Sequence, residues 1–512
     1  MWLKLTAVFL TCIVASCAAQ GCVARDYGYG SIVCVCNSTY CDLVEETSGD
    51  EMTNGNARHY VTSKAGMRLH AMTMKFSNSS DDSKSATFKV DRSKKYQKML
   101  GFGGAITDAT GLNTFSLSSK AADNLIRAYF QKGGIGYTFM RVPVGGSDFS
   151  THYYEYTDDY PNDTSLKHFN LSMEDYSYKI PFIKKALAVS DPEVPVKLFS
   201  SPWSAPDWMK IINKTTNASK LKEEYYQVYA NYYVKFLDAY AAEGLKYWGL
   251  TPQNEPGHGL FYGRWNSMGW TPSQMQEWLV GNLCPSLKSG GYSNLKLMIN
   301  DNQRANVPEW LELYKNETMR ECASGMAVHW YADPNSPAST LTKAHDEYPH
   351  KFLLYTEACV EKKQAPKAVT LGDWSKGVQY MSDIIDVTTN WVTGWVDWNM
   401  VLDLNGGPNW AKNEVDAPVI VNATADEFYK QPMFYALAHF SRFVPPGSVR
   451  VGLQAERSSG IESVAFLTPD NATVVILHNT NDSDAEAVIS DEDKGKLTLK
   501  ISANSMNSVL YY

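Results

Sequence analysis

Nowhere does the 512-residue chain hold an apolar run long enough to cross a bilayer; Leu5 to Val14 falls short of the roughly 20 residues a spanning helix needs. There is no basic face either. Net charge is -8, with Lys and Arg scattered, and phosphate recognition needs clustered cations, so nucleic acid is excluded as the main partner. Low-complexity and strongly charged tracts are missing, which argues against long disorder. Gly101-Phe102-Gly103-Gly104 is glycine-rich but lacks the third glycine of a dinucleotide turn, and no cofactor is expected. Cys34-Val35-Cys36 lacks the two-residue knuckle spacing of a zinc site, and no metal is expected.

The early apolar stretch instead reads as a signal peptide. Lys4 supplies the positive start, and Cys17-Ala18-Ala19 offers small residues for cleavage, so residues 1–20 are removed and the mature chain starts near Gln20 or Gly21. Seven cysteines remain. Cys22, Cys34, Cys36 and Cys41 crowd together and read as two disulfides in an oxidising route. An odd total leaves at least one thiol free, and Cys284, Cys322 and Cys359 read as buried small apolar residues. Ten sequons, at Asn37, Asn78, Asn162, Asn170, Asn213, Asn217, Asn316, Asn422, Asn471 and Asn481, agree with secretory passage.

An apolar share of 44% with only 20% charged residues fits a well-packed globular protein, and the length suits a large catalytic domain with smaller satellites. Eight short apolar runs recur between about Met99 and Asn399, separated by loops and helical stretches: 99–106, 137–143, 196–203, 247–251, 295–301, 326–331, 352–357 and 392–399. That rhythm fits a (β/α)8 barrel, whose chemistry lies at the C-terminal ends of its strands. Those ends carry Asp108, Arg141, Trp203, Asn254 and Glu255, Asp301, His329 to Tyr331, Glu357, and Trp398 and Asn399, a set suited to a sugar. Toward the C-terminus, alternating strands such as Val464 to Leu467 and Thr473 to Leu477 read as a β-sandwich that recruits Tyr60 to Val90 from the other end of the chain.

Hydrolysis of a glycoside with retention needs two carboxyl groups about 5 Å apart, one to protonate the leaving oxygen and one to attack the anomeric carbon. Glu255 ends the fourth run and Glu357 the seventh, 102 residues and three units apart, so both face one mouth. Taken alone, each has a plainer reading. Asn254-Glu255-Pro256 is a favourable turn, and Glu357 is a strand emerging into solvent; their shared position is what favours catalysis. Asn254 is placed to bond a sugar 2-hydroxyl. His329 is either a structural histidine or a contact of Glu357 or substrate, and Trp203, Tyr331 and Trp398 are core aromatics or stacking faces for sugar.

These residues lead to a family. The chain closely resembles the acid β-glucosylceramidases of glycoside hydrolase family 30 over nearly its whole length. The shared stretches include Val33 to Asn37 with Cys41, Gly101 to Asp108, Ser201-Pro202-Trp203, Asn254-Glu255-Pro256, Ala327 to Tyr331, Glu357-Ala358-Cys359, Gly406 to Trp410 and Tyr429 to Tyr435. The resemblance implies that Glu255 is the acid/base and Glu357 the nucleophile. It implies that Asp108, Trp203, Asn254, Trp398 and Asn409 bind the glucosyl group, while His329 and Tyr331 support the nucleophile. It also implies disulfides from Cys22 to Cys34 and from Cys36 to Cys41. The implied architecture is a barrel (96–399 with 432–445), an immunoglobulin-like β-sandwich (48–95 with 446–512) and a small antiparallel β-sheet (21–47 with 400–431).

The implied substrate is a glycosphingolipid, glucosylceramide, at a membrane or micelle surface, with a saposin-type activator and a lysosomal sorting receptor as partners and the lysosome as destination, secretion being the alternative. One departure is visible: the rim loop Gly257 to Asn266 carries Arg264, Trp265 and Asn266 where the family usually supplies a tyrosine and a phenylalanine, which leaves leaving-group preference open. The rival enzyme acts on another glycolipid or a β-glucan. The non-enzymatic rival, a secreted sugar- or lipid-binding protein, would be expected to lack one carboxylate.

Overall fold

The computed structural model describes residues 21–44, 52, 55–77, 85–214, 216, 218–361 and 367–512; the expected signal peptide and the sequons at Asn78 and Asn217 lie outside them. Eight parallel strands close into a barrel: Gly101–Ala105, Phe139–Val144, Lys197–Pro202, Tyr247–Leu250, Lys296–Gln303, Ala323–His329, Phe352–Glu357 and Val392–Asn399. They are the eight apolar runs in order. Each run is nearly continuous in apolar residues because helices cover the outside while side chains fill the inside. Phe139, Phe199, Met298, Ala327, Leu354 and Val396 pack together as the inner plug. Gly103 admits no side chain, since a Cβ there would lie 2.0 Å from the Phe139 carbonyl oxygen, so the first two strands close tightly.

The helix before the fourth strand, Tyr226–Ala242, buries Tyr229, Tyr232, Tyr233, Phe236 and Tyr240, and Gly244, with φ +81°, ends its path. Its packing reaches the site. Tyr233 donates to the Pro252 carbonyl at 2.7 Å, pinning the loop that carries Glu255.

Nine strands from both sides of the barrel form one sheet around a shared core. Asn56–Ser63, His70–Lys75 and Ala86–Lys98 come before it, and six strands between Val449 and Tyr511 come after. Phe88, Ile489, Leu497 and Leu499 meet in that core. The expected hairpin pairs Val464 with Ile476. A smaller five-stranded sheet joins Ala24–Asp26 and Ile32–Asn37 to Glu427–Lys430, Val419–Asn422 and Val401–Asp403. It is not purely antiparallel: Val401–Asp403 lies parallel to Val419–Asn422, because the chain returns through a long loop rather than a hairpin.

Disulfides join Cys22 to Cys34 and Cys36 to Cys41 in that sheet. A third, Cys284 to Cys322, corrects the reading of those two residues as plain apolar fillers, while Cys359 is free and buried. The pair joins two short outer helices, Cys284–Ser289 and Glu317–Cys322, which follow the fourth and fifth strands and lie side by side once those two βα units pack. Closing a loop of 38 residues restricts the unfolded chain, so the double replacement Cys284→Ser with Cys322→Ser is expected to lower stability by about 2–4 kcal/mol. Chemical unfolding checks this, and an unchanged midpoint would refute it.

Candidate active site

The chemistry gathers at the C-terminal mouth of the barrel. Glu255 follows the fourth strand with φ +43°, a left-handed conformation that a non-glycine residue adopts only when its surroundings impose it. They do so here: its N–H donates to the Asp301 carbonyl at 2.9 Å, and its own carbonyl accepts from the His258 N–H at 2.9 Å. Glu255 Oε1 accepts from Gln303 Nε2 at 3.0 Å and faces His329 Nδ1 at 3.1 Å. Glu357 closes the seventh strand, with Oε1 accepting from the Tyr331 hydroxyl at 2.8 Å and Oε2 from Arg141. A carboxylate oxygen from each glutamate and a ring nitrogen of His329 all lie within 4.8 Å of one another.

Arg141 is fully buried on the second strand and ties this floor together. It donates to Asn254 Oδ1 at 2.8 Å, Asp301 Oδ2 at 3.0 Å and Ser201 Oγ at 3.2 Å. Its guanidinium lies 5.0 Å from the Trp203 ring and 5.4 Å from that of Trp398, and the two indoles stack at 5.0 Å. Asp301 is the opposite hub, accepting from Thr251 at 2.6 Å and Thr356 at 2.7 Å and facing His329 Nε2 at 3.1 Å.

A cavity of about 650 Å³ opens above this floor, lined by Trp203, Asn254, Glu255, Tyr331, Glu357 and Trp398 among others. Two expected glucosyl contacts are not among its lining residues. Asp108 is buried, accepting from Ser150 at 2.6 Å and Tyr154 at 3.0 Å, with Lys179 at 3.6 Å. Asn409, partly exposed, bonds both ways with the backbone of Asn413, at 3.0 Å each, and so shapes the loop. Asp148 and Asn413 line the cavity there, joined at 2.9 Å.

A profile of the glycosyl hydrolase family 30 TIM-barrel domain matches residues 99–444, and that of the family's β-sandwich domain matches 447–509. The chain belongs to glycosyl hydrolase family 30. It is a glycoside hydrolase, and its relatives agree. It is 43% identical to the putative glucosylceramidase 4 of Caenorhabditis elegans over 96% of this chain and 94% of the relative. It is 40% identical to the lysosomal acid glucosylceramidase of Mus musculus over 96% of each. Among solved structures, the endo-beta1,6-glucanase BT3312 is similar with a TM-score of 0.79 and 27% identity, covering 90% of this chain and 99% of that one.

Within this family 30 chain, the two nitrogens of His329 face Glu255 and Asp301, and one of them lies within 4.8 Å of a Glu357 oxygen. The charge of His329 acts on both glutamates. Burial opposes the imidazolium, but Glu357, Asp301 and Glu255 outweigh it and raise its pKa to about 10. Burial would raise Glu255, yet the hydrogen bond and charge of His329, with His258 and Arg141 beyond, bring it below the usual glutamate value. Burial likewise pushes Asp148 up to about 7, against a hydrogen bond from Asn413.

Arg141, Asp301, Gln303 and His258 belong to the site; the sequence placed Arg141 and Asp301 at the barrel mouth without an individual role and did not single out Gln303 or His258. A signal existed for two of them. Arg141 is a charge within an otherwise apolar strand and Asp301 a charge just after the apolar run Leu297 to Ile299, and a charge buried there must be paired. Gln303 is the last residue of the fifth strand and His258 the first of a single helical turn, where the sequence alone marks nothing.

Proposed function

We propose that the chain is a retaining β-glucosidase that hydrolyses glucosylceramide to glucose and ceramide, with Glu357 as nucleophile and Glu255 as acid/base. The observation that carries this is the approach of the two carboxylates to within 4.8 Å, which suits direct attack by one of them. An inverting pair stands about 6.5–9.5 Å apart to admit a water. In the first step Glu357 bonds the anomeric carbon as the glycosidic bond breaks, and Glu255 gives its proton to the departing ceramide oxygen. In the second, water gives a proton to Glu255 and its oxygen to the anomeric carbon, releasing Glu357. Arg141 and Tyr331 hold the nucleophile in place, and Trp203 and Trp398 offer aromatic surface to the sugar.

The choice of lipid rests on the relatives and on the rim, where Phe261 is 77% and Tyr262 63% exposed beside the cavity. A saposin-type activator presenting the lipid and a sorting receptor delivering the protein to lysosomes complete this reading. The signal sequence, the disulfides and exposed sequons such as Asn162, Asn170 and Asn471 support the secretory route. The test is hydrolysis of glucosylceramide in detergent against galactosylceramide and a β1,6-glucan. A kcat/KM higher for the glucan would establish the rival reading, which the likeness to a glucanase and the polar Arg264 at the rim favour.

The pH dependence follows from Glu255. The acid step needs its proton, and its pKa lies below the ordinary glutamate value, so kcat/KM should already be falling as pH rises through that ordinary value. A profile flat to pH 9 would refute the assignment.

A further inference from the structure

The two oxygens of Glu255 have unlike surroundings. Oε1 is engaged by Gln303 at 3.0 Å and His329 at 3.1 Å. Among the described residues no donor reaches Oε2 within hydrogen-bonding distance, so Oε2 is the oxygen free to carry the proton. The imidazole beside it is not that of His329 but that of His258, whose Nδ1 lies 3.8 Å away.

His258 is held in a defined place. It opens a single helical turn, His258–Phe261, three residues after Glu255. Its ring stacks on Trp265 at 4.6 Å with an 18° tilt and meets Tyr262 at 5.1 Å. Arg264 packs on Trp265 at 6.0 Å, and donates to the Lys412 carbonyl at 3.0 Å, bracing the stack from outside. His258 Nε2 is buried with no hydrogen-bond partner, a costly arrangement that the stack enforces. Only Nδ1 is left to act, and both it and Glu255 border the same cavity.

We propose that His258 is a positioning residue for the acid step: before substrate binds, its Nδ1 accepts from protonated Glu255 Oε2 and keeps that proton at the cavity, until the glycosidic oxygen replaces the imidazole as acceptor. This rests on Glu255 being the acid/base. The turn from Glu255 through Pro256 and Gly257 fixes the two residues on one short loop, so the imidazole follows the carboxyl. Nearby charges from other strands, His329 and Arg141, act at Oε1 and at the nucleophile and leave Oε2 to His258.

The test compares two aryl β-glucosides. A 2,4-dinitrophenolate departs without a proton, whereas phenolate needs one, so a defect in the acid step appears with the phenyl substrate and a general structural defect appears with both. His258→Phe keeps the ring stack and removes the nitrogens. It is expected to lower kcat/KM for phenyl β-glucoside about ten-fold more than for the dinitrophenyl substrate, a fraction of the roughly 10²–10⁴ a general acid supplies. His258→Asn, which returns a polar atom near Nδ1, should recover most of that difference. Equal losses on both substrates, or no loss, would overturn the proposal. Should His258→Phe not fold, His258→Ala is read by the same ratio, the site being at a rim that tolerates a smaller side chain. Glu255→Gln serves as reference. If it shows no preference between the substrates, the acid/base assignment fails; if it does and the His258 variants do not, only the role of His258 fails.

Discussion

Glu357→Gln is expected to lower kcat by a factor on the order of 10⁴–10⁶, the loss seen when a covalent nucleophile is removed. The amide keeps the volume of the carboxylate, and Tyr331 and Arg141 still surround it, so the fold should survive while attack on the anomeric carbon does not. Glu255→Gln should cost less, about 10²–10⁴, and mainly with poor leaving groups, because the nucleophile remains and only proton delivery is lost. Azide separates the roles further. A Glu357→Gly variant opens a space on the nucleophile face, and azide entering there should give a glucosyl azide of inverted configuration. With Glu255→Gly, azide should instead intercept the glucosyl-enzyme from the opposite face and give the retained product. An active Glu357→Gln enzyme, or products of the same configuration from both variants, would refute the assignment.

The barrel and its two carboxylates were legible because burial on both faces writes each strand as an apolar run, and because barrel geometry sends every strand end to one mouth. What happens after a strand ends was not. Asn300 and Asp301 have φ of +77° and +44°, and the register with the next strand shifts between Asn300 and Asn302. That bulge turns Asp301 inward to face His329 Nε2, while Nδ1 faces Glu255, and no spacing in the sequence encodes such a turn. The same limit covers Asp108, whose polar partners Ser150, Tyr154 and Lys179 come from a distant loop and helix. Cys284 and Cys322 read as isolated for a related reason, since they meet only when the helices of two successive βα units pack side by side. The rim loop was legible in composition, as a departure, but not in consequence: the stacking of His258 on Trp265 is a tertiary fact.

Arg141→Met should be the most destabilising single change in the site, at about 3–5 kcal/mol, the usual cost of removing one partner from a buried ion pair. Methionine fills similar space, so the loss is electrostatic: Asp301 and Glu357 stay buried without their cation, and Asn254 and Ser201 lose a donor. The pH dependence distinguishes this from poor packing. Burial alone would raise the pKa of Asp301, but Arg141, with His329, holds it well below the usual carboxylate range. A depressed folded pKa contributes stability that is present above the unfolded value, about 3.9, and is lost as pH falls through the folded value. Without Arg141 the folded pKa of Asp301 rises, so this contribution shrinks or reverses at neutral pH, and protonating the carboxylate relieves the variant as the solution is acidified. The gap in unfolding midpoint between wild type and Arg141→Met should therefore be widest near pH 7 and narrow toward pH 4. Arg141→Lys should fall between the two, keeping a charge but losing the fork that reaches Glu357, Asp301 and Asn254 together. A gap of the same size at both pH values would mean that Arg141 acts by packing between Trp203 and Trp398, not by balancing the carboxylates.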